Sequence, residues 1–132
     1  PVRHARNADF ATGMGSSFRT GVEHLPEGSD AALFALADQP FLSPDHYRSL
    51  LDAYRRQRPV VVGSRFGDVT APPHLFNRAL YPELAALTHG ARGILERHAA
   101  AMLVLQFDAS LLMDIYTPDD YERARLRVAA GW

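Results

Sequence analysis

Apolar residues along this chain fall into short unbroken runs, set between longer stretches where they recur every three or four positions. The unbroken runs are Asp30–Ala37 (DAALFALA), Pro59–Gly63 (PVVVG) and Met102–Phe107 (MLVLQF). Continuous rather than alternating apolar character predicts strands covered on both faces, as in a parallel sheet between helices. The helical stretches are Ser16–Glu23, a segment from Ser43 to about Gln57 with Leu50, Leu51 and Tyr54 on one face, Asn77–Leu87, Ala91–His98, and a last one from Thr117 to about Ala130. Ser43-Pro44-Asp45 and Thr117-Pro118-Asp119-Asp120 each place a cap residue, a proline and an acid where a helix begins. Pro82 predicts a break or fresh start inside Asn77–Leu87. Gly67-Asp68 marks a turn within Arg65–Thr70. Ala71–Phe76 (APPHLF) reads as loop or edge strand because neither proline can donate to a ladder. Pro1–Arg6 reads as a short extended start, and Leu111–Ile115 as an apolar approach to the last helix. Strands alternating with helices predict one α/β domain over residues 1–132 with a mainly parallel sheet.

Composition removes whole classes of chemistry. The 132 residues, 47% hydrophobic and 22% charged, suit one globular domain large enough to bury a core. Cysteine is absent, which excludes disulfide frameworks, zinc fingers, iron–sulfur sites and thiol nucleophiles. All 14 basic residues are arginine, so there is no Walker-type lysine, Schiff base or lysine general base. A net charge of −1 makes no case for nucleic acid. Arg55, Arg56 and Arg58 read as a solvated helix end complementing the helix dipole. No apolar run approaches a membrane span and no signal peptide is present, so no membrane partner is expected and the expected location is cytoplasmic. The six histidines lack metal-ligand spacing, and there is no Gly-x-Ser-x-Gly elbow.

Ligands of open α/β sheets bind beyond the carboxyl ends of the strands. Asp38 stands there after DAALFALA, in a turn stiffened by Pro40, and Asp114 ends LLMDI before a helix cap. Taken alone, Asp38 can be a turn-forming residue and Asp114 a helix N-terminal acid. Taken together they are two carboxylates at one end of the sheet, a donor set suited to a hard cation such as magnesium. The loop Asn7–Gly21 is the other candidate. Gly13 and Gly15 permit close backbone approach, and Ser16 and Ser17 can either cap the helix or bind a ligand. His74, in a loop after Pro73, is a candidate substrate contact.

The order Asn7…Gly13-Met14-Gly15-Ser16-Ser17…Gly21, Leu36-Ala37-Asp38-Gln39-Pro40-Phe41, Pro73-His74-Leu75-Phe76, Gly90-Ala91-Arg92 and Asp114-Ile115-Tyr116-Thr117-Pro118-Asp119-Asp120-Tyr121 resembles the MobA-like nucleotidyltransferases over essentially the whole chain. Within that family the chain is most similar to the molybdenum cofactor cytidylyltransferases. The resemblance implies a Rossmann-like, glycosyltransferase-A-type fold of three α/β/α layers. It implies transfer of a nucleoside monophosphate from an NTP, CTP favoured, to a phosphorylated acceptor such as molybdopterin, with release of pyrophosphate. Asp38 and Asp114 would be catalytic and hold Mg²⁺. Asn7, Gly13, Ser16 and Ser17 would bind the nucleotide, and Pro73, His74 and Arg92 the acceptor. The chain departs from the family pattern in three places. The basic, glycine-rich opening loop (LAAGxSxRMGxxK) is absent, Ala71-Pro72 stands in place of Gly-His or Gly-Asn, and Thr88-His89 in place of Gly-Asp. The domain is therefore expected to be N-terminally truncated and inactive alone, with the Asp30–Ala37 strand presenting an unpaired edge through which copies could associate. A catalytically silent binding or oligomerisation domain, and a nucleotidyltransferase for another phosphorylated acceptor, are the alternative readings.

Overall fold

The computed structural model describes residues 2–132. Its five strands are β1 (Ala31–Phe34), β2 (Val61–Phe66), β3 (Val69–Thr70), β4 (His74–Asn77) and β5 (Met102–Phe107). The helices are α1 (Met14–Glu23), α2 (Pro44–Gln57), α3 (Tyr81–Ala85), α4 (Arg92–Arg97) and α5 (Pro118–Ala129). The residues that begin the two longest helices do so as expected. In α5 the Thr117 hydroxyl accepts from the Asp120 amide at 3.1 Å, and the Asp120 carboxylate accepts from the Thr117 amide at 2.9 Å. In α2 the reciprocal partner is His46, whose Nδ1 accepts from the Ser43 amide at 2.9 Å where a capping box ordinarily carries Glu or Gln. Pro82 does start a fresh helix, near the beginning of α3. The extended start expected over Pro1–Arg6 forms no strand across 2–6, and Pro1 lies outside the described residues.

The sheet runs β1-β4-β2-β3, with β5 on the other side of β2. β4 lies antiparallel to both β1 and β2, β3 is antiparallel to β2, and β5 is parallel to β2. The sheet is therefore mixed, which corrects the expectation of a mainly parallel one. β1, β2 and β5 do point the same way, but the reversed β4 is inserted between two of them. The α/β, Rossmann-like class stands. β1 lies at one end of the order and, among the described residues, has no strand on its far side.

β2 continues through Arg65 and Phe66, read from sequence as turn, and reverses over Gly67-Asp68 into β3. Between the pairs Val62↔Leu75 and Arg65↔Thr70, two β2 residues (Gly63 and Ser64) face four on the returning chain (Ala71 to His74). The surplus is a bulge holding both prolines, with a cis Pro72-Pro73 bond. The prolines thus stay out of the ladder, and β4 can be an interior strand rather than an edge. Ser64, fully buried inside the bulge, has its polar groups satisfied locally. Its amide donates to His74 Nδ1 at 3.2 Å, its hydroxyl donates to the Pro73 carbonyl, and its carbonyl accepts from the Ala71 amide.

The core sits on both faces of the sheet, giving the three layers. On one face Val61, Phe76, Leu80, Leu84, Ile94 and Leu95 pack with Phe18 and Val22 of α1. On the other, Leu50, Ala53 and Tyr54 of α2 cover Val62 and Leu75. Val61 and Val62 turn to opposite faces because strand side chains alternate. Each buried side chain of this size contributes about 1.5–3 kcal/mol, which is why the runs read from sequence as strands lie here. Among the described residues no helix is long and apolar enough to cross a membrane.

Candidate functional site

Because β1, β2 and β5 are codirectional, their carboxyl ends (Phe34, Phe66 and Phe107) share one end of the sheet. Asp38 follows β1 and Asp114 follows β5, so both project from that end. The Ile115 amide donates to the Asp38 carbonyl at 3.0 Å, tying the two segments side by side. Arg127 of α5 adds a second tie. Its guanidinium lies over the Phe41 ring at 4.0 Å and donates to the Ser110 carbonyl. Trp132 meets the other partner of that clamp, with its ring 4.7 Å from Phe41.

Both aspartates are half-buried, and each has its Oδ1 buried without a partner among the described residues. Asp114 Oδ2 accepts from the Tyr116 hydroxyl at 2.8 Å. That hydrogen bond, together with the nearby charges of Asp114 and Asp38, raises the Tyr116 phenol above its ordinary range. Gln39, also buried, has neither amide atom paired. Sequence reasoning passed over Gln39 and Tyr116. Each is one polar residue beside a more conspicuous aspartate, and only the fold shows the burial of one and the contact of the other. Buried polar atoms are nearly always paired, and each that is not costs about 1–3 kcal/mol. Unpaired oxygens on two carboxylates at one end of the sheet suit a divalent cation. Among the described residues no group of three or more His, Cys, Asp or Glu forms a self-contained metal cage, so further oxygens would have to come from phosphate or water.

A second cluster forms at the start of α1. Asn7 Nδ2 donates to the hydroxyls of Ser16 (2.8 Å) and Ser17 (3.0 Å), and the Ser16 hydroxyl donates to the Gly13 carbonyl at 2.8 Å. The four residues named from sequence are thus brought together. Ser16 is buried and committed to this local network, whereas Ser17 is exposed. A cavity of about 300 Å³ opens beside them, lined by Asp9, Thr12, Ser16, Arg19, Leu87 and Thr88. Phe18 packs on Phe34 at 5.0 Å, which seats α1 beside the carboxyl end of β1. The close approach that Gly15 allows is to protein: a Cβ there would lie 2.0 Å from the Leu87 carbonyl oxygen. Gly13, at φ +124°, faces the Thr88 carbonyl in the same way.

Pro73 and His74 sit together, and Arg92 is placed apart from them on another element. Pro73 and His74 are buried in the bulge, at the same sheet end as the carboxylates because His74 pairs with Phe34. Arg92, at the start of α4, is exposed and pairs with Glu96 at 2.9 Å. Burial lowers the His74 imidazole from 6.5 to about 4, and with Nδ1 accepting from Ser64 the neutral ring carries its proton on Nε2. His74 binds a proton more readily when unfolded than when folded. Its contribution to stability is therefore present above about pH 6.5 and is lost as pH falls toward 4, on the order of 3 kcal/mol in all. We expect urea midpoints to fall across that window, and His74→Asn, which keeps an acceptor near the Nδ1 position, to flatten the fall. An unchanged slope in the variant would assign the acid sensitivity elsewhere.

Residues 1–102 match the family described as MobA-like NTP transferase domain. The chain is 33% identical over 122 residues to the purine catabolism protein PucB of Bacillus subtilis (strain 168), covering 89% of this chain and 58% of that protein. Rv0371c from Mycobacterium tuberculosis H37Rv superposes with a TM-score of 0.70 at 27% identity, over 84% of this chain and 59% of the other. Its complex with manganese gives 0.66 and 26%, over 81% and 57%. This chain therefore spans less than two thirds of the length of these relatives.

Proposed function

The chain belongs to the MobA-like NTP transferase family, and from that premise we propose that it carries the cation- and acceptor-side part of a nucleotidyltransferase that moves a nucleoside monophosphate from an NTP to a phosphorylated acceptor, releasing pyrophosphate. The observation that carries this reading is the pair of unpartnered carboxylate oxygens on Asp38 and Asp114 at the carboxyl end of the sheet. The resemblance to molybdenum cofactor cytidylyltransferases favours CTP as donor and a molybdopterin-type acceptor. Mg²⁺ is the proposed resident cation, supported by the two-carboxylate donor set and by the manganese complex of Rv0371c.

In the proposed reaction an acceptor phosphate oxygen attacks the α-phosphorus. The new P–O bond forms as the bond to the bridging α–β oxygen breaks, and that oxygen leaves with pyrophosphate. A phosphate nucleophile is already ionised at neutral pH, so positioning and charge neutralisation are the main requirements. Asp38 and Asp114 would hold a divalent cation, which would supply that neutralisation. Ser17, exposed beside Asn7, would contact the nucleoside, and Gly13, whose amide and carbonyl are bonded to Phe10 and Ser16, would shape the loop that meets it. Ser16 holds the loop in shape. Pro73 and His74 shape the acceptor side through the bulge. Arg92 is free to change partners, since an exposed ion pair such as Arg92–Glu96 contributes only about 0–1 kcal/mol.

Pyrophosphate release is the direct test, measured with Mg²⁺ and molybdopterin while CTP, GTP, ATP and UTP are titrated in turn. We expect CTP to give the highest kcat/KM, and Ser17→Ala to raise KM about three- to tenfold, the value of one hydrogen bond, with an unchanged melting temperature. No release with any of the four nucleotides, from a polypeptide that includes the family's opening loop, would overturn the transferase reading in favour of a silent binding domain. A lower melting temperature with an unchanged KM would make Ser17 only a structural partner of Asn7, since Gly13 and not Ser17 caps α1.

A further inference from the structure

We infer that Tyr116 is a positioning residue for Asp114: its hydroxyl holds one carboxylate oxygen so that the other stays free at the sheet end that Asp38 shares. The inference rests on the reading of Asp38 and Asp114 as a cation site. The Tyr116 hydroxyl donates to Asp114 Oδ2 at 2.8 Å, while Asp114 Oδ1 is buried and unpartnered. A carboxylate turns about a broad, roughly two-fold torsion. Without a donor on one oxygen, nothing distinguishes the two, and the free one has no fixed direction.

The backbone around Tyr116 is anchored on both sides. Its amide donates to Asp120 Oδ2 at 3.1 Å, the same oxygen that accepts from the Thr117 amide at 2.9 Å in the cap of α5. The preceding amide, of Ile115, donates to the Asp38 carbonyl. Residues 114–116 are therefore tied to α5 on one side and to the Asp38 segment on the other, and the phenol closes the arrangement onto Asp114.

Tyr116 is 75% exposed, so burial of its ring does not account for its place. What the side chain does contribute is one directed hydrogen bond to one oxygen. Hydrogen bonds to a ligating carboxylate orient it, and removing such a partner typically costs about 10–100-fold in metal affinity. Tyr116→Phe keeps the ring and the backbone ties and deletes only the donor.

Manganese binding to the chain, followed by the loss of the free Mn²⁺ signal in electron paramagnetic resonance, tests this without reference to turnover. Tyr116→Phe should bind Mn²⁺ about 10–100-fold more weakly than the parent at an unchanged melting temperature, and Asp38→Asn should not bind measurably. If Tyr116→Phe binds like the parent while Asp38→Asn loses the ion, the positioning role is wrong and the cation site stands. If the parent does not bind, or Asp38→Asn binds equally well, the cation reading itself fails and takes this inference with it. A fall in affinity accompanied by an equal loss of stability would make the hydroxyl structural and also overturn the inference.

Discussion

In a polypeptide that includes the family's opening loop, Asp38→Asn is expected to lower nucleotidyl transfer by about two to four orders of magnitude and, in the absence of divalent cation, to raise the melting temperature. The two effects have one origin. Asp38 and Asp114 each bury an oxygen that nothing in the fold satisfies, and the Ile115–Asp38 hydrogen bond holds their segments together. In the proposed reaction, charge builds on the phosphates, and the cation that offsets it is worth several kcal/mol of transition-state stabilisation. Replacing one carboxylate by an amide of the same shape removes half of the cation's protein ligands. The same change removes a half-buried charge, one of whose oxygens has no partner among the described residues. At about 1–3 kcal/mol for each unpaired group, the relief corresponds to a few degrees in melting temperature for a domain of this size. Calorimetry in EDTA and again with Mn²⁺, beside a pyrophosphate-release assay, separates the terms. The parent should gain stability from Mn²⁺ and the variant should not. Unchanged turnover would remove Asp38 from the site.

The parts of the fold that could be read from sequence are those set by local pattern. DAALFALA and PVVVG overlap β1 and β2 because a strand covered on both faces must be apolar throughout, whereas MLVLQF coincides with β5, whose Val104 and Gln106 are exposed. Ser43 and Thr117 begin their helices because the first-turn amides need acceptors that those side chains and their N3 partners help supply. The carboxyl-end rule then placed Asp38 and Asp114 at one end of the sheet with no knowledge of the sheet itself. What could not be read is strand direction. HLFN is four residues long and carries no mark of polarity, so nothing local shows that β4 runs against its neighbours. The work of His74 was hidden for the same reason. Its ring serves a β2 amide that lacks a ladder partner only because of the bulge, and a bulge is a property of two strands at once. The burial of Gln39 is likewise collective: the nearby Phe41 is covered from the far end of the chain, by Arg127 in the last turn of α5 and by Trp132 beyond it.

Gly15→Ala is the expected test of how α1 is seated, and it sets two opposing effects against each other. Alanine is the better helix former, by up to about 1 kcal/mol in a helix interior and less in a first turn such as this one. Against that, the added Cβ would lie 2.0 Å from the Leu87 carbonyl oxygen, 2.4 Å from the Leu87 carbonyl carbon and 2.7 Å from that of Thr88. Those atoms are backbone, so no rotamer change can clear them. To reach ordinary contact, α1 and the 87–88 loop must part by on the order of 1 Å, and overpacking of this kind costs about 1–3 kcal/mol, occasionally more. The clash wins, and we expect the urea midpoint to fall by the equivalent of about 2–3 kcal/mol. Gly21→Ala in the same helix supplies the contrast, because its Cβ would meet only the ring of Phe34, at 3.2 Å, and a ring edge can yield by a few tenths of an ångström. There the propensity gain is unopposed by backbone, and stability should stay level or rise. The separation of α1 from Thr88 also widens the cavity beside Ser16 and draws Ser17 away from the loop, so Gly15→Ala should weaken nucleotide binding as well, and Gly21→Ala should not. Equal stability of the two variants would mean that the seat of α1 yields readily, and the placement of the Asn7, Ser16 and Ser17 cluster would then need another anchor.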